Sequence, residues 1–278
     1  MSLPDPHKDP HKDPADHRAL PPASDQGAEE LARMSLLEHL EELRKRLLFV
    51  VITLFVGFAA CVAFAKPIYR LLARPIEPYL PDGLSFLRVT DPFLVYMKVA
   101  LLAAVFVTSP ILLYQLWRFV APGLYRREKR MAAPFIFFGS MFFLGGGLFG
   151  YFIAFPLAVR FLIELGGDFQ PVITVDAYLN FLIVVLLGLG VMFELPIVIF
   201  MLATLGVVTP RFLMRHFRWA VLLIFFLAAL ITPTPDVFNM CVVALPTIGL
   251  YLLGVAAAAM AQAFKRRRQR REAAAASA

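Results

Sequence analysis

The chain has 278 residues, 60% of them hydrophobic and only 17% charged, with a mean hydropathy of +0.73. That composition excludes an ordinary soluble domain and is the composition of a membrane protein. The net charge of +7 would suit a nucleic-acid partner in a soluble protein, but the basic residues fall in short blocks between apolar runs. Such blocks suit lipid headgroups and membrane orientation, so no nucleic-acid partner is expected.

Residues 1–33 are polar and proline-rich and carry the repeat DPHKDPHKDP. They are too polar to bury a core and are expected to form a disordered tail. They also lack the apolar stretch of a cleavable signal peptide. His7, His11 and His17 are read as solvated residues of this tail rather than as metal ligands. Order is expected from Met34, where Ser35 and Glu38 have the S-x-x-E spacing of a capping box and Leu36, Leu40, Leu43 and Leu47 recur at helical spacing. The spacing predicts an amphipathic helix running into the first membrane span.

Six apolar segments follow, at 47–65, 93–117, 134–158, 178–208, 219–231 and 237–264. A helix needs about 20 residues to cross a hydrocarbon core of about 30 Å, and the first four qualify without difficulty. The fifth is short, and the sixth is interrupted by Pro246. The tight link TPTPDV between them predicts an antiparallel hairpin. Basic residues crowd alternate connections, at 44–46, 118–130, 211–218 and in the tail 265–278, whereas the others hold Lys66, Arg70, Arg74, Arg88 and Arg160. The richer set marks the cytoplasmic side, which places both termini there and divides the chain into a tail (1–33), a six-span membrane domain (34–264) and a basic cytoplasmic tail (265–278). The outer loop 66–92 mixes apolar residues with prolines and predicts a structured cap.

Glu194 is the most informative position. An ionisable group midway along a span costs about 3 kcal/mol and must face protein, a partner or water. It lies in FELP, where Pro196 cannot donate to the carbonyl of Met192, so a kink is expected beside the acid. A protonated Glu bonded to a neighbouring helix is the structural alternative. Lys98, near the outer end of the second span, is expected to snorkel to the headgroups. Pro110 bends the same span. Glu42 and Glu128 are acids in basic cytoplasmic surroundings, each also able to serve as one half of a local ion pair. Cys61 and Cys241 lie inside spans without metal or redox spacing and are read as packing residues. The run 145–147 of glycines lies within a span and is read as a site of close helix packing. No GxSxG, HExxH or phosphate-binding loop occurs, so neither catalysis nor a cofactor is expected.

At HLEELRKRL (39–47), SPILLYQLWRFVAPGLYRREKR (109–130), FPLA (155–158), FELP (193–196) and TPTPDVF (232–238) the chain resembles the TatC family, the multispanning core subunit of the twin-arginine protein translocase. The motifs stand in family order and cover residues 35–262. The resemblance implies an all-α membrane protein with six transmembrane helices in a cupped arrangement, the fifth and sixth short, and with structured outer-face loops. It implies a receptor and scaffold that binds twin-arginine signal peptides and exports folded proteins across the bacterial cytoplasmic membrane, driven by the proton-motive force. The implied partners are TatA-like and TatB-like single-span subunits, the signal peptides of cargo, membrane lipid and further copies of the chain. By motif position, Glu42, Arg44, Arg46, Pro110, Phe119 and Glu128 contact the signal peptide, and Glu194 lines the concave face. Thr232, Asp236, Asn239 and Met240 fall where a partner helix docks.

Two departures from the family pattern stand out. Residues 1–33 precede its usual start, and Met240 replaces an expected glutamine, leaving Asn239 as the polar substitute. Arginine pairs are best held by carboxylates through charge-assisted bonds, which suits Glu42 and Glu128. From the residues alone, two other readings stay open: a small-solute transporter using Glu194 as a proton-coupled site, whose paired broken helices and pseudo-symmetry are not visible here, and an assembly factor that does not recognise cargo.

Overall fold

The computed structural model describes residues 25–80, 83–120, 132–167, 169, 172–232 and 236–276. Internal contacts divide the chain after Arg44. In the first unit the described residues belong to α1 (Asp25–Val62), which begins ahead of the expected start at Met34. The helix runs straight through Ser35, so the expected capping box caps nothing. The residue types ahead of it account for the extension, since Ala28, Glu29, Glu30, Leu31, Ala32 and Arg33 are all strong helix formers. The DPHKDPHKDP repeat with His7, His11 and His17 lies outside the described residues.

The second unit, from Lys45 onward, continues with α2 (Ala65–Ala73), α3 (Asp91–Val120), α4 (Ala132–Phe149), α5 (Phe155–Leu165), α6 (Val175–Phe193), α7 (Leu195–Thr204), α8 (Pro210–Arg215), α9 (Phe217–Ile231) and α10 (Val237–Ala276). Among the described residues, helices carry the whole architecture. Five stretches are long and apolar enough to cross a bilayer: Leu40–Val62, Asp91–Arg118, Pro134–Leu165, Val175–Thr204 and Val237–Phe264. The sixth, α9, is apolar but has only 15 residues, about 22 Å of helix, short of a hydrocarbon core of about 30 Å. Phe55, Phe152, Phe226, Leu230 and Phe264 stay exposed. Water would not tolerate so much contiguous apolar surface, and lipid chains would. The protein is a multipass helical membrane protein.

The core of this unit is built around α6. Leu179, Leu182, Leu186 and Leu189 repeat at three- and four-residue intervals and are all buried, which puts them on one face of the helix. α4 lies against α6, and α10 lies against α7. In lipid there is no hydrophobic drive between helices, so close backbone approach through small residues supplies the packing energy. Gly146 makes that approach: a Cβ there would sit 2.5 Å from the carbonyl oxygen of Leu189 and 2.9 Å from Cα of Gly190. A Cβ on Gly145 would meet nothing within 4 Å. Within the glycine run, then, the packing role belongs to Gly146 and to Gly147, which faces Phe106.

The prolines within three of these spans have different outcomes. Between α4 and α5 the chain makes a π turn, Gly150–Ala154, and the amide of Phe155 donates to the carbonyl of Gly150, five residues back. Pro156 has no N–H for the carbonyl of Phe152, and the wider turn takes up the mismatch. Pro196 accompanies a full break between α6 and α7 at Glu194. Pro246, by contrast, lies inside an unbroken α10, so the expected interruption of the sixth span is only a missing hydrogen bond.

Because the spans alternate in direction, the ends of α1, α5 and α9 share a side with α2 and with the starts of α3, α6 and α10. The described residues of the loop 66–92 form a structured cap on that side, as the loop's composition predicts. The hydroxyl of Tyr178 donates to the Leu72 carbonyl at 2.8 Å, and that of Tyr151 donates to the Leu71 carbonyl. Ser85 pairs with Thr174 in an isolated bridge, with the amide of Val175 donating to the Ser85 carbonyl at 2.8 Å. The cap is thus tied to the start of α6 by backbone and side chain together.

The close approach at Gly146 gives a direct expectation. Gly146→Val forces α4 away from α6 and should lower the thermal midpoint of the purified, detergent-solubilised protein, the cost being about 1–3 kcal/mol. Gly145→Ala should leave the midpoint unchanged. Equal midpoints for the two variants would remove Gly146 from the packing account.

Candidate functional site

Glu194 sits where the helical ladder of the fourth span is released. Its own amide donates to the Val191 carbonyl at 3.1 Å, a tightened last turn, and α7 restarts at Leu195 with Pro196 in its first turn. Proline suits that position because its missing N–H has no partner to lose there. The break turns the side chain toward α4 and α3. A Cβ on Gly139 of α4 would lie 3.3 Å from Oε2 of Glu194 and 3.3 Å from Cδ1 of Leu113 of α3. The residue is half-buried. Its Oε1 is buried and has no hydrogen-bond partner among the described residues. An unsatisfied buried oxygen costs about 1–3 kcal/mol, so this carboxyl group is held at a stability cost.

Pro110 stands inside α3. Its ring removes the N–H that would reach the Phe106 carbonyl, and the hydroxyl of Ser109 donates to that carbonyl at 2.8 Å instead. The Ser-Pro pair therefore leaves no orphan acceptor at this point of the continuous helix. Nine residues further, Phe119 continues the helix backbone; its side chain and the whole of Glu128 lie outside the described residues. In α1, Glu42 is half-buried and Arg44 is exposed, while Arg46 is half-buried. Glu41, Glu42, Lys45 and Arg46 each have an interaction partner.

At the α9–α10 turn, Asp236 caps α10. Its Oδ1 accepts from the amide of Asn239 at 2.7 Å, and its Oδ2 accepts from Nδ2 of Asn239 at 2.9 Å. Asn239 is only 2% exposed. Thr232 is buried too, its hydroxyl donating to the Ala228 carbonyl at 2.9 Å. Neither side chain is presented on the surface of the chain, and Oδ1 of Asn239 is buried without a hydrogen-bond partner among the described residues. Asp236 and Met240 are half-buried.

One polar cluster differs from the sequence reading. Lys98 does not snorkel: its Nζ donates to Oδ1 of Asp176 at 2.6 Å and to Oδ1 of Asn180 at 2.7 Å, while Nδ2 of Asn180 donates to Oδ2 of Asp176 at 3.0 Å. The start of α3 is thereby braced to the start of α6. The readable signal was Asp176 and Asn180 four residues apart, just inside the Thr174 cap. Such spacing puts an acid and an amide on one helix face.

Exposed apolar spans, a braced polar rim and a half-buried carboxyl group at a mid-span break define a multipass helical membrane protein with a polar notch inside the bilayer. The family profile described as Sec-independent protein translocase protein (TatC) matches residues 38–246. The chain is similar to the Sec-independent protein translocase protein TatC of Koribacter versatilis, with 45% identity over 83% of this chain and 87% of the relative. It is similar to that of Campylobacter jejuni, with 41% identity over 79% of this chain and 91% of the relative. A crystal structure of the twin arginine translocase receptor TatC superposes with a TM-score of 0.70 at 34% identity, covering 81% of this chain and 99% of that one. The chain belongs to the TatC family. That family consists of protein-translocase components rather than enzymes.

The brace at Lys98 can be checked by paired substitution. Removing one member of a hydrogen-bonded charge pair leaves the other exposed to a poor solvent, whereas removing both can be nearly neutral. Lys98→Met should lower the thermal midpoint more than Lys98→Met combined with Asp176→Asn, with the pair itself worth about 1 kcal/mol because both side chains are partly solvated. A double variant less stable than Lys98→Met alone would contradict the brace.

Proposed function

We propose that this protein is the signal-peptide receptor and core scaffold of a twin-arginine translocase, exporting folded proteins across the bacterial cytoplasmic membrane with energy from the proton-motive force. The observation that carries the reading is the continuous family match over residues 38–246, supported by the likeness to a solved protein described as a twin arginine translocase receptor. Both termini face the cytoplasm in this reading, in agreement with the crowding of Lys and Arg in alternate connections. Paired arginines of the signal are held by Glu42 and Glu128, with Arg44 and Arg46 excluding unspecific cations and attracting anionic headgroups. Pro110 and Phe119 shape the end of α3 beside the loop that carries Glu128. The apolar part of the signal passes into the membrane toward Glu194, whose unpartnered Oε1 accepts a hydrogen bond from the inserted segment or a partner helix.

Single-span partners of the TatA and TatB kind dock at the α9–α10 hairpin in this reading. Asp236 and Met240 are the nearer residues there, and Thr232 and Asn239 brace the turn from beneath. Further copies of the chain and surrounding lipid complete the assembly.

Glu42→Ala and Glu128→Ala should each weaken photo-crosslinking of a twin-arginine signal fusion by about tenfold or more, the loss expected for one charge-assisted bond, with membrane insertion unchanged. A lysine-pair version of the signal serves as the control. Crosslinking of the arginine-pair signal at wild-type level in both variants would remove the receptor assignment. For Glu194, transport assays should find Gln better tolerated than Ala, because a neutral hydrogen-bonding group suffices inside hydrocarbon; a Gln variant as defective as Ala would require a charged carboxylate.

A further inference from the structure

We propose that Gly139 is a positioning residue for Glu194: the missing side chain on α4 is what leaves room for the carboxyl group in its notch, where Oε1 has no hydrogen bond among the described residues. This inference rests on the reading of Glu194 as the intramembrane contact and adds the residue that sets its geometry.

Three observations carry it. Gly139 is buried on the face of α4 that meets the α6–α7 break. Both atoms that a Cβ there would crowd, Oε2 of Glu194 and Cδ1 of Leu113, each at 3.3 Å, are ends of flexible side chains and not backbone. This separates Gly139 from Gly146 of the same helix, whose neighbours are the backbone of α6. Adding a methyl at Gly146 pushes helices apart. Adding one at Gly139 pushes only the carboxyl group and a leucine tip, so the fold survives while the acid moves. Nothing else within the described residues holds Oε1 by a hydrogen bond, so the wall supplied by α4 determines where that oxygen points. A shift of a few tenths of an ångström matters here because hydrogen bonds weaken steeply with distance and angle.

The chemistry fixes the kind of group that fits. The notch offers a carboxyl group at a proline break in an otherwise apolar span, so it suits a hydrogen-bond donor carried on an apolar helix. A larger residue at 139 narrows the notch from the α4 side and tips the carboxyl group away from the incoming donor.

A double-mutant cycle separates positioning from simple packing. Transport of a twin-arginine signal fusion is measured in cells for Gly139→Val, Glu194→Ala and the double variant, with the thermal midpoint of each purified protein as the folding control. Gly139→Val should cut transport by about tenfold while its midpoint stays near that of the wild type, and in the Glu194→Ala background it should cut transport no further, because there is no carboxyl group left to displace. A rescue arm uses Gly139→Ala with Glu194→Asp. The shorter acid fits beside the added methyl, so the pair should transport better than Gly139→Ala alone; a pair that transports worse than Gly139→Ala would overturn the positioning role.

Losses that multiply in the double variant would overturn the positioning role and leave the Glu194 reading standing. A Gly139→Val variant that transports normally would overturn it as well. Normal transport by Glu194→Ala would sink the underlying Glu194 reading and the inference with it. A fall in midpoint for Gly139→Val equal to that for Gly146→Val would assign Gly139 to packing.

Discussion

Inside a bilayer each backbone amide and carbonyl must find its partner within the protein, because no water is there to replace one. The rest of this structure depends on that constraint. It makes helix the only workable conformation for the spans, and it makes every proline in them a defect that must be mended. At Pro110 the Ser109 hydroxyl takes the orphaned carbonyl. At Pro156 the ladder slips into a π turn. At Pro196 the helix ends and restarts, and the break coincides with the mid-span acid. Prolines elsewhere leave a helix continuous or widen it. This one opens it beside a carboxyl group.

Polar groups within the spans fall into two kinds, and the difference is satisfaction. Lys98, Asp176 and Asn180 satisfy one another across α3 and α6, near the rim where the loop cap is also tied down. Such a closed network rigidifies and asks nothing of a partner. Glu194 is held in place yet leaves Oε1 unsatisfied, which costs stability and is the usual mark of a group kept for something outside the chain. The packing around it agrees: α4 approaches α6 through Gly146 so closely that the backbones touch, and a short way along the same helix Gly139 leaves room for the acid.

Much of this is legible in the sequence because membrane helices obey few rules. Length and apolarity locate all six segments; the structure lengthens most of them, while the first helix ends at Val62 and the fourth span at Thr204, short of the expected 65 and 208. The Glu194 notch is readable because an acid in an apolar run must face something polar, and a proline two residues further on must disturb the helix beside it. The role of Lys98 is not readable in this way, because a lysine near a span end can always reach the headgroups. Only the fold shows that Asp176 and Asn180, about 80 positions along the chain, stand opposite it. The start of α1 differs from the expected one because a capping box is a local signal, whereas the helix continues wherever strong formers precede it. Asn239 reads as the polar contact for a partner helix, and the structure buries its side chain. Its burial follows from the turn that Asp236 caps, and spacing alone does not give that.

The placement of the two polar systems also bears on how such a protein can be both stable and receptive. If the open carboxyl group lay at the rim, water would satisfy it and no partner would gain by displacing that water. At mid-span, a donor arriving on an apolar helix gains the full value of a bond that nothing else supplies, while a helix without a donor gains only packing. The preference between the two is therefore set by depth and by the absence of an internal partner, not by charge alone. The closed brace at the rim lets the same unit carry that cost, since the helices flanking the notch are already fixed where α3 and α6 begin.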